Sequence, residues 1–79
     1  MKQDNQNLLL NIGLAIKAER LSKGYSQEKL ALEANLDRTY ISAIERGKKN
    51  LTVTSLNKIA SVLKVDMSDL LKNLGDNHA

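Results

Sequence analysis

The chain has 79 residues, 42% of them hydrophobic and 3% aromatic, with a net charge of +3 and neither proline nor cysteine. This length allows at most one domain, which buries only about 60–65% of its unfolded surface and here needs an aliphatic core. The composition excludes disulfides and thiolate metal sites, and no apolar run approaches the roughly 18 residues of a membrane span, so we expect a cytoplasmic protein.

The first predicted helix covers residues 7–22, after a polar segment that is unlike a signal peptide and is expected to be loose. Its buried face follows the i, i+3, i+7 spacing of apolar residues, at Leu9, Ile12 and Ile16. Arg20 continues this face by one turn, and a charged residue there requires a partner. Gly24 is expected to end the helix and Ser26 to cap the next one.

Two short helices joined by a tight turn follow, a pattern that predicts a helix-turn-helix. The first covers residues 27–34 and stops at Asn35, which tolerates a left-handed backbone. The second begins after the N-cap Asp37 and ends before Gly47. The inward residues of the first helix are Leu30, Ala31 and Ala34, with the small Ala31 where the two backbones approach. The apolar residues that should fill the angle are Leu36, Ile41 and Ile44.

The third helix also carries side chains of the types that hydrogen-bond phosphates and base edges: Arg38, Thr39, Tyr40, Ser42 and Arg46. The helix dipole disfavours a cation in the first turn, so Arg38 is expected to read a base rather than to serve the fold. Arg46 suits the last turn, where a solvated role and a phosphate contact are equally open. Two roles also stay open for Tyr40, packing on the scaffold or contacting DNA. We expect this helix to enter the major groove of DNA.

A polar loop with two lysines separates the third helix from the fourth. Lys48, Lys49 and Asn50 are expected to contact phosphates, which adds affinity without sequence information. The fourth helix begins after Thr52 or Thr54. Its apolar residues match the i, i+3, i+4, i+7 pattern well: Leu56, Ile59, Ala60 and Leu63.

The fifth predicted helix covers residues 67–73 and is introduced by Asp66 and Asp69, which are spaced as in a capping box. Its apolar residues are Leu70, Leu71 and Leu74. They exceed what one short terminal helix buries internally, which predicts a homodimer seam, with wholly internal packing as the alternative. The elements together predict an all-α fold.

Many residues carry a resemblance to a known family, with its spacing, over about residues 9–72: Ile12, Gly13, Ile16, Arg20, Gly24, Ser26, Gln27, Leu30, Ala31, Leu36, Ile41, Ser42, Ile44, Glu45, Arg46, Gly47, Leu56, Ile59, Ala60, Leu63 and Val65. The pattern resembles the Cro/lambda-repressor-type (XRE) helix-turn-helix family. More narrowly, residues 36–42 and 44–52 are similar to the controller proteins of restriction–modification systems. Asn35 departs from the glycine that is usual in the family.

The resemblance implies a five-helix lambda-repressor-like domain over residues 1–79, ordered over about 7–74, that binds a palindromic DNA operator as a homodimer. It implies base contacts by Arg38, Thr39 and Ser42. It implies DNA backbone contacts by Gln27, Tyr40, Arg46, Lys48, Lys49 and Asn50, with bracing of the third helix as the other role open to Gln27. It also implies a buried ion pair between Arg20 and Glu45.

The function that follows is a transcription regulator of its own gene and of an endonuclease gene. A phage-type repressor and an antitoxin are the alternatives within the same fold. A protein-interaction module without DNA binding is a further alternative, which the polar face of the third helix disfavours. No enzyme is expected, because His78 is the single histidine and no carboxylates cluster. We expect no cofactor, metal, small-molecule ligand or membrane partner.

Overall fold

The computed structural model describes residues 2–71, with side chains from Asn7 onward. It contains five helices: α1 (Lys2–Ser22), α2 (Gln27–Ala34), α3 (Arg38–Glu45), α4 (Val53–Leu63) and α5 (Met67–Leu71). Strands are absent from this part of the chain, so the all-α prediction is confirmed. None of these helices is long and apolar enough to cross a membrane.

Four of the helices end on a residue with a positive φ angle. These residues are Gly24 (75°), Asn35 (58°), Gly47 (70°) and Lys64 (60°). At each end, the amide of the following residue donates to a carbonyl in the last turn of the helix, as Lys48 N does to Ala43 O at 2.9 Å. This bond satisfies carbonyls that the helix itself leaves without a donor. The stop at Asn35 is confirmed, whereas the left-handed Lys64 was not predicted.

The predicted N-caps are also found. The side chains of Ser26 and Asp37 accept hydrogen bonds from backbone amides in the first turns of α2 and α3. Thr52 caps α4 and accepts from the amide of Ser55 at 3.0 Å, which decides between the two threonines. At the start of α5, the Asp66 amide donates to Asp69 Oδ2 at 3.0 Å. The capping pair that the sequence predicted is therefore present.

The start of α1 lies at Lys2, five residues before the predicted start near Asn7. The prediction relied on apolar periodicity, which marks where a helix is buried and not where it begins. No proline or glycine interrupts residues 2–7, so nothing in that segment forces the helix to stop. The predicted start of this helix was therefore wrong, whereas the looseness of the segment stays a prediction.

The core is aliphatic and collects residues from all five helices. Its largest fully buried side chains are Ile16, Leu30, Ile41, Ile44, Ile59, Leu63 and Leu70. Leu36 packs against this core from the turn between α2 and α3. Helix α3 contacts both α1 and α2, so the two helices that precede it in the chain set its orientation.

The leucines predicted to form a dimer seam differ in how deeply they are buried. The Leu70 side chain is only 2% exposed and belongs to the core, so the prediction that it forms the seam is wrong. The physical reason is that α5 packs directly on α1 and α4, which uses its apolar face within the monomer. Leu71 is half-buried against the core. Leu74 lies outside the described residues.

Candidate nucleic-acid interface

Helix α3 has one buried face and one open face. Ile41 and Ile44 are 0% and 1% exposed, because their three-residue spacing puts both on the side that meets α1 and α2. Thr39, Ser42 and Arg46 lie on the opposite side at spacings of three and four, and Arg38 is exposed at the first turn. The structure therefore brings the residues predicted to read bases to one outer surface.

Ala43 belongs to the same outer side and is half-buried. Ala43 was not among the predicted contact residues, because alanine has no hydrogen-bonding group. Its i+4 relation to Thr39 is the signal that locates it. A small side chain there leaves room for a groove wall or a thymine methyl group close to the helix backbone.

The first turn of α3 is organised by Asp37. Its Oδ1 accepts from the Thr39 hydroxyl at 2.8 Å and from the Thr39 amide at 2.9 Å. These two bonds favour the ionised carboxylate and lower the pKa of Asp37 below its ordinary value. The Thr39 hydroxyl proton is thus already used, so this side chain offers a partner its methyl group and oxygen lone pairs.

Tyr40 packs on the scaffold, and its contact with DNA stays a prediction. Its side chain is half-buried against the core, and its hydroxyl donates to Ser55 Oγ at 3.3 Å. Ser55 Oγ also accepts from the Thr52 hydroxyl at 3.1 Å. Tyr40 therefore links α3 to the first turn of α4 at the edge of the outer surface.

The electrostatic character of this surface is positive. Lys48, Lys49 and Asn50 are exposed in the loop after α3, next to the exposed Arg46. Arg46 Nε donates to the Ser42 carbonyl at 3.3 Å, which lays the side chain along the last turn of α3. A cation in that turn also complements the helix dipole. These groups are suited to bind phosphates rather than to read bases.

The single acid between Arg38 and Lys49 points away from this surface. Glu45 is 4% exposed, and Arg20, which is 7% exposed, faces it from α1. Arg20 Nε donates to Glu45 Oε2 at 2.7 Å, and Arg20 Nη2 donates to Oε1 at 3.0 Å. This two-bond geometry is the strongest form of an arginine–carboxylate pair, and it removes the negative charge of Glu45 from the outer face.

Gln27 joins the same pair. Its Nε2 donates to Glu45 Oε1 at 3.0 Å, while Arg20 Nη1 donates to the Tyr25 carbonyl at 2.8 Å. One carboxylate thus ties together α1, the connection after it, the start of α2 and the end of α3. In this structure Gln27 braces α3, one of the two roles that the family resemblance implies for it.

Comparison with known proteins places this geometry in a family. A sequence profile described as helix-turn-helix matches residues 16–70. The control protein C.BamHI of Bacillus amyloliquefaciens is 48% identical over 66 residues, which are 82% of either chain. The chain belongs to the helix-turn-helix family.

Solved structures agree in fold over most of this helix-turn-helix chain. The restriction-modification controller protein C.AhdI from Aeromonas hydrophila superimposes with a TM-score of 0.77 at 35% identity, covering 78% of this chain and 94% of that one. The controller protein C.Esp1396I, solved bound to a 25 base pair operator site, has a TM-score of 0.75 at 46% identity. That match covers 87% of this chain and 91% of the other. The narrower resemblance to controller proteins is therefore confirmed.

Within the helix-turn-helix, α2 and α3 are the two helices of the motif, and Asn35 is its turn. Ala31 is 3% exposed where the two helices meet, and a larger side chain there would force them apart. The outer face of α3 is then the surface that the motif presents. No group of histidine, cysteine, aspartate or glutamate side chains suited to a metal ion occurs within the described residues.

Proposed function

We propose that this protein is a sequence-specific DNA-binding transcription regulator of the restriction–modification controller type. The observation that carries the proposal is the outer face of α3, where Arg38, Thr39 and Ser42 stand beside a cationic loop while Glu45 is neutralised inside. The similar controller protein C.Esp1396I, which was solved on an operator, supports it. The protein acts by binding alone, in the bacterial cytoplasm, on its own promoter and that of an endonuclease gene.

Two groups of side chains make different kinds of contact with DNA. Arg38, Thr39 and Ser42 contact bases in the major groove or the phosphates beside them. Contacts with the DNA backbone are made by Gln27, Tyr40, Arg46, Lys48, Lys49 and Asn50. Gln27 and Tyr40 also hold internal hydrogen bonds. Gln27 keeps a second Nε2 proton for a phosphate, whereas Tyr40 must release its bond to Ser55, because its hydroxyl has a single proton.

The protein is proposed to bind as a homodimer on a palindromic operator, with two α3 helices about 34–36 Å apart across one turn of DNA. The half-buried Leu71, with Leu74 beyond the described residues, is the remaining candidate for the seam. Sedimentation at micromolar concentration tests this, and Leu71→Ala should shift the equilibrium toward monomer. A wild-type protein that stays monomeric both free and on operator DNA would contradict it.

Two alanine variants test whether base contacts and phosphate contacts come from different residues. Arg38→Ala should remove about 1–3 kcal/mol of discrimination at one base pair, because a bidentate guanine contact is lost. Lys49→Ala should weaken all sequences about equally and lower the slope of log K against log salt by roughly one unit. Both are measured by titrating fluorescent operator and scrambled duplexes at two salt concentrations.

Lys58→Ala is the control for a lost charge, because Lys58 is exposed on α4 rather than on α3 or its loop. Its affinity for operator should stay close to that of the wild type. If the wild type prefers no sequence, the regulator function is wrong. If Arg38→Ala and Lys49→Ala change sequence discrimination and salt dependence equally, the regulator function stands. The assignment of separate residues to base contacts and to phosphate contacts is then wrong.

A further inference from the structure

A concavity of about 430 Å³ lies between the second turn of α1 and the loop that follows α3. Its polar lining comes from Asn7 on α1 and from Arg46, Lys48 and Asn50 on the other side. Among the described residues, none of those lining it is acidic. Two amides, a guanidinium and an ammonium therefore face one space.

The two walls are brought together by a close approach of backbones. A Cβ added at Gly47, where φ is +70°, would lie 2.8 Å from the Leu10 Cα atom. No side chain separates α1 from the loop at this point, and Asn7 stands nearly one turn before Leu10 on the same helix. The amide of Asn7 is thus held beside the cationic loop by the packing of α1, and not by neighbours in sequence.

The donors in this space suit an anion that has several oxygen atoms. Arg46 uses its Nε on the Ser42 carbonyl, and within residues 7–71 its terminal Nη groups have no acceptor. Lys48 and Asn50 are exposed, and their side-chain donors likewise have no acceptor within residues 7–71. Arginine and lysine donors with amides beside them are the usual contacts of phosphate oxygens.

We propose that this concavity binds a phosphate group and that Asn7 is the residue of α1 that takes part. The proposal rests on the proposed function where the phosphate is a phosphodiester of the DNA backbone. The other source with the same chemistry is a free phosphorylated molecule. With DNA as the source, α1 contributes a contact to the DNA backbone in addition to those of the helix-turn-helix.

The first experiment places a carboxylate in the concavity through Asn7→Asp, which keeps the shape of the side chain. It should lower the affinity for operator and scrambled duplexes alike by at least about tenfold, because a like charge then faces the phosphate. The matched control is Ala18→Asp, an exposed site on the same helix. It lies about 16 Å away along the axis, beyond the Debye length, and should change the affinity less than about threefold.

The second experiment identifies the source of the phosphate. The side-chain amide signals of Asn7 and Asn50 are followed by NMR during titration with inorganic phosphate, with a nucleoside monophosphate and with duplex DNA. Saturable shifts with duplex DNA alone assign the backbone as the ligand. Saturable shifts with the free phosphates assign a phosphorylated small molecule. Circular dichroism confirms that each variant is folded.

The proposal is overturned if Asn7→Asp binds DNA like Ala18→Asp and neither free phosphate shifts the two amides. This failure is distinct from failure of the proposed function, since the wild-type protein would still separate operator from scrambled DNA. Conversely, a protein that binds free phosphate at this site but prefers no DNA sequence would keep the concavity as a site and remove the regulator function.

Discussion

Lys64 ends α4 with a φ angle of 60°, a conformation that a side chain with a Cβ adopts at a cost of about 1–2 kcal/mol. Asn35 holds nearly the same angle at the end of α2, but asparagine tolerates it better because its short polar side chain bonds locally. The strain is therefore larger at the lysine. It persists because Val65 must turn back toward the core, against which it packs.

Replacing Lys64 with glycine should stabilise the protein. Lys64→Gly removes the Cβ that opposes the left-handed backbone, and the free energy of unfolding should rise by about 0.5–1 kcal/mol after the greater entropy loss of glycine is included. The control is Lys58→Gly in the exposed middle of α4, which should instead lower it by about 0.7 kcal/mol. Urea denaturation measures the free energy of unfolding of both variants. An equal decrease in the two would show that Lys64 is not strained.

At the scale of the elements, the approach of α1 to α3 depends on Gly13. An added Cβ there would overlap the Ile44 carbonyl oxygen and lie 2.8 Å from the Glu45 carbonyl oxygen. These are backbone atoms near the end of α3, so the neighbour cannot move aside as a flexible side chain would. The position of α3 relative to α1 therefore requires glycine inside a helix, where propensity alone disfavours it.

Gly13→Ala should destabilise the protein by about 1–3 kcal/mol or more, because the two helices must separate. The higher helix propensity of alanine alone predicts the opposite, a gain in stability of about 1 kcal/mol. Ala18→Gly, at an exposed site of α1, isolates that propensity and should cost about 1 kcal/mol. Thermal unfolding of the three proteins decides the matter. A higher melting temperature for Gly13→Ala would mean that α1 and α3 do not meet as closely as described.

At the scale of the whole molecule, Glu45 holds three helices in register through Arg20 and Gln27. The pair is buried, whereas Lys23 and Glu19 form an exposed pair at 3.8 Å. Removing one partner of a buried pair leaves a charge without compensation in the interior. Exposed pairs contribute little, since water and salt screen them.

Glu45→Ala should therefore lower the free energy of unfolding by about 3–5 kcal/mol, a large share of the total for a small domain. Glu19→Ala is the matched control and should cost less than about 1 kcal/mol. Loss of DNA binding by Glu45→Ala should follow the unfolded fraction, whereas Arg38→Ala should lose specificity at unchanged stability. A Glu45→Ala protein as stable as the wild type would show that the pair does not hold the fold.

Much of this protein is determined by its sequence locally. The caps at Ser26 and Asp37 and the stops at Gly24, Asn35 and Gly47 were all predicted, because each depends on contacts within about one turn of the chain. Most residues of the core faces were predicted for the same reason, since helical periodicity repeats within a few residues. Leu9 is an exception, because it is only half-buried and lies outside the core. The resemblance to the family rests on these residues at the family's spacing.

Other features were decided only by the tertiary structure, because they depend on which distant elements lie side by side. The hydroxyl of Tyr40 meets Ser55, and the amide of Gln27 meets Glu45, across separations that no local pattern encodes. Leu70 is core rather than seam for the same reason. The base and phosphate contacts stay predictions, since they depend on the fit of this surface to DNA. What the tertiary structure adds is the arrangement in which those side chains share one face.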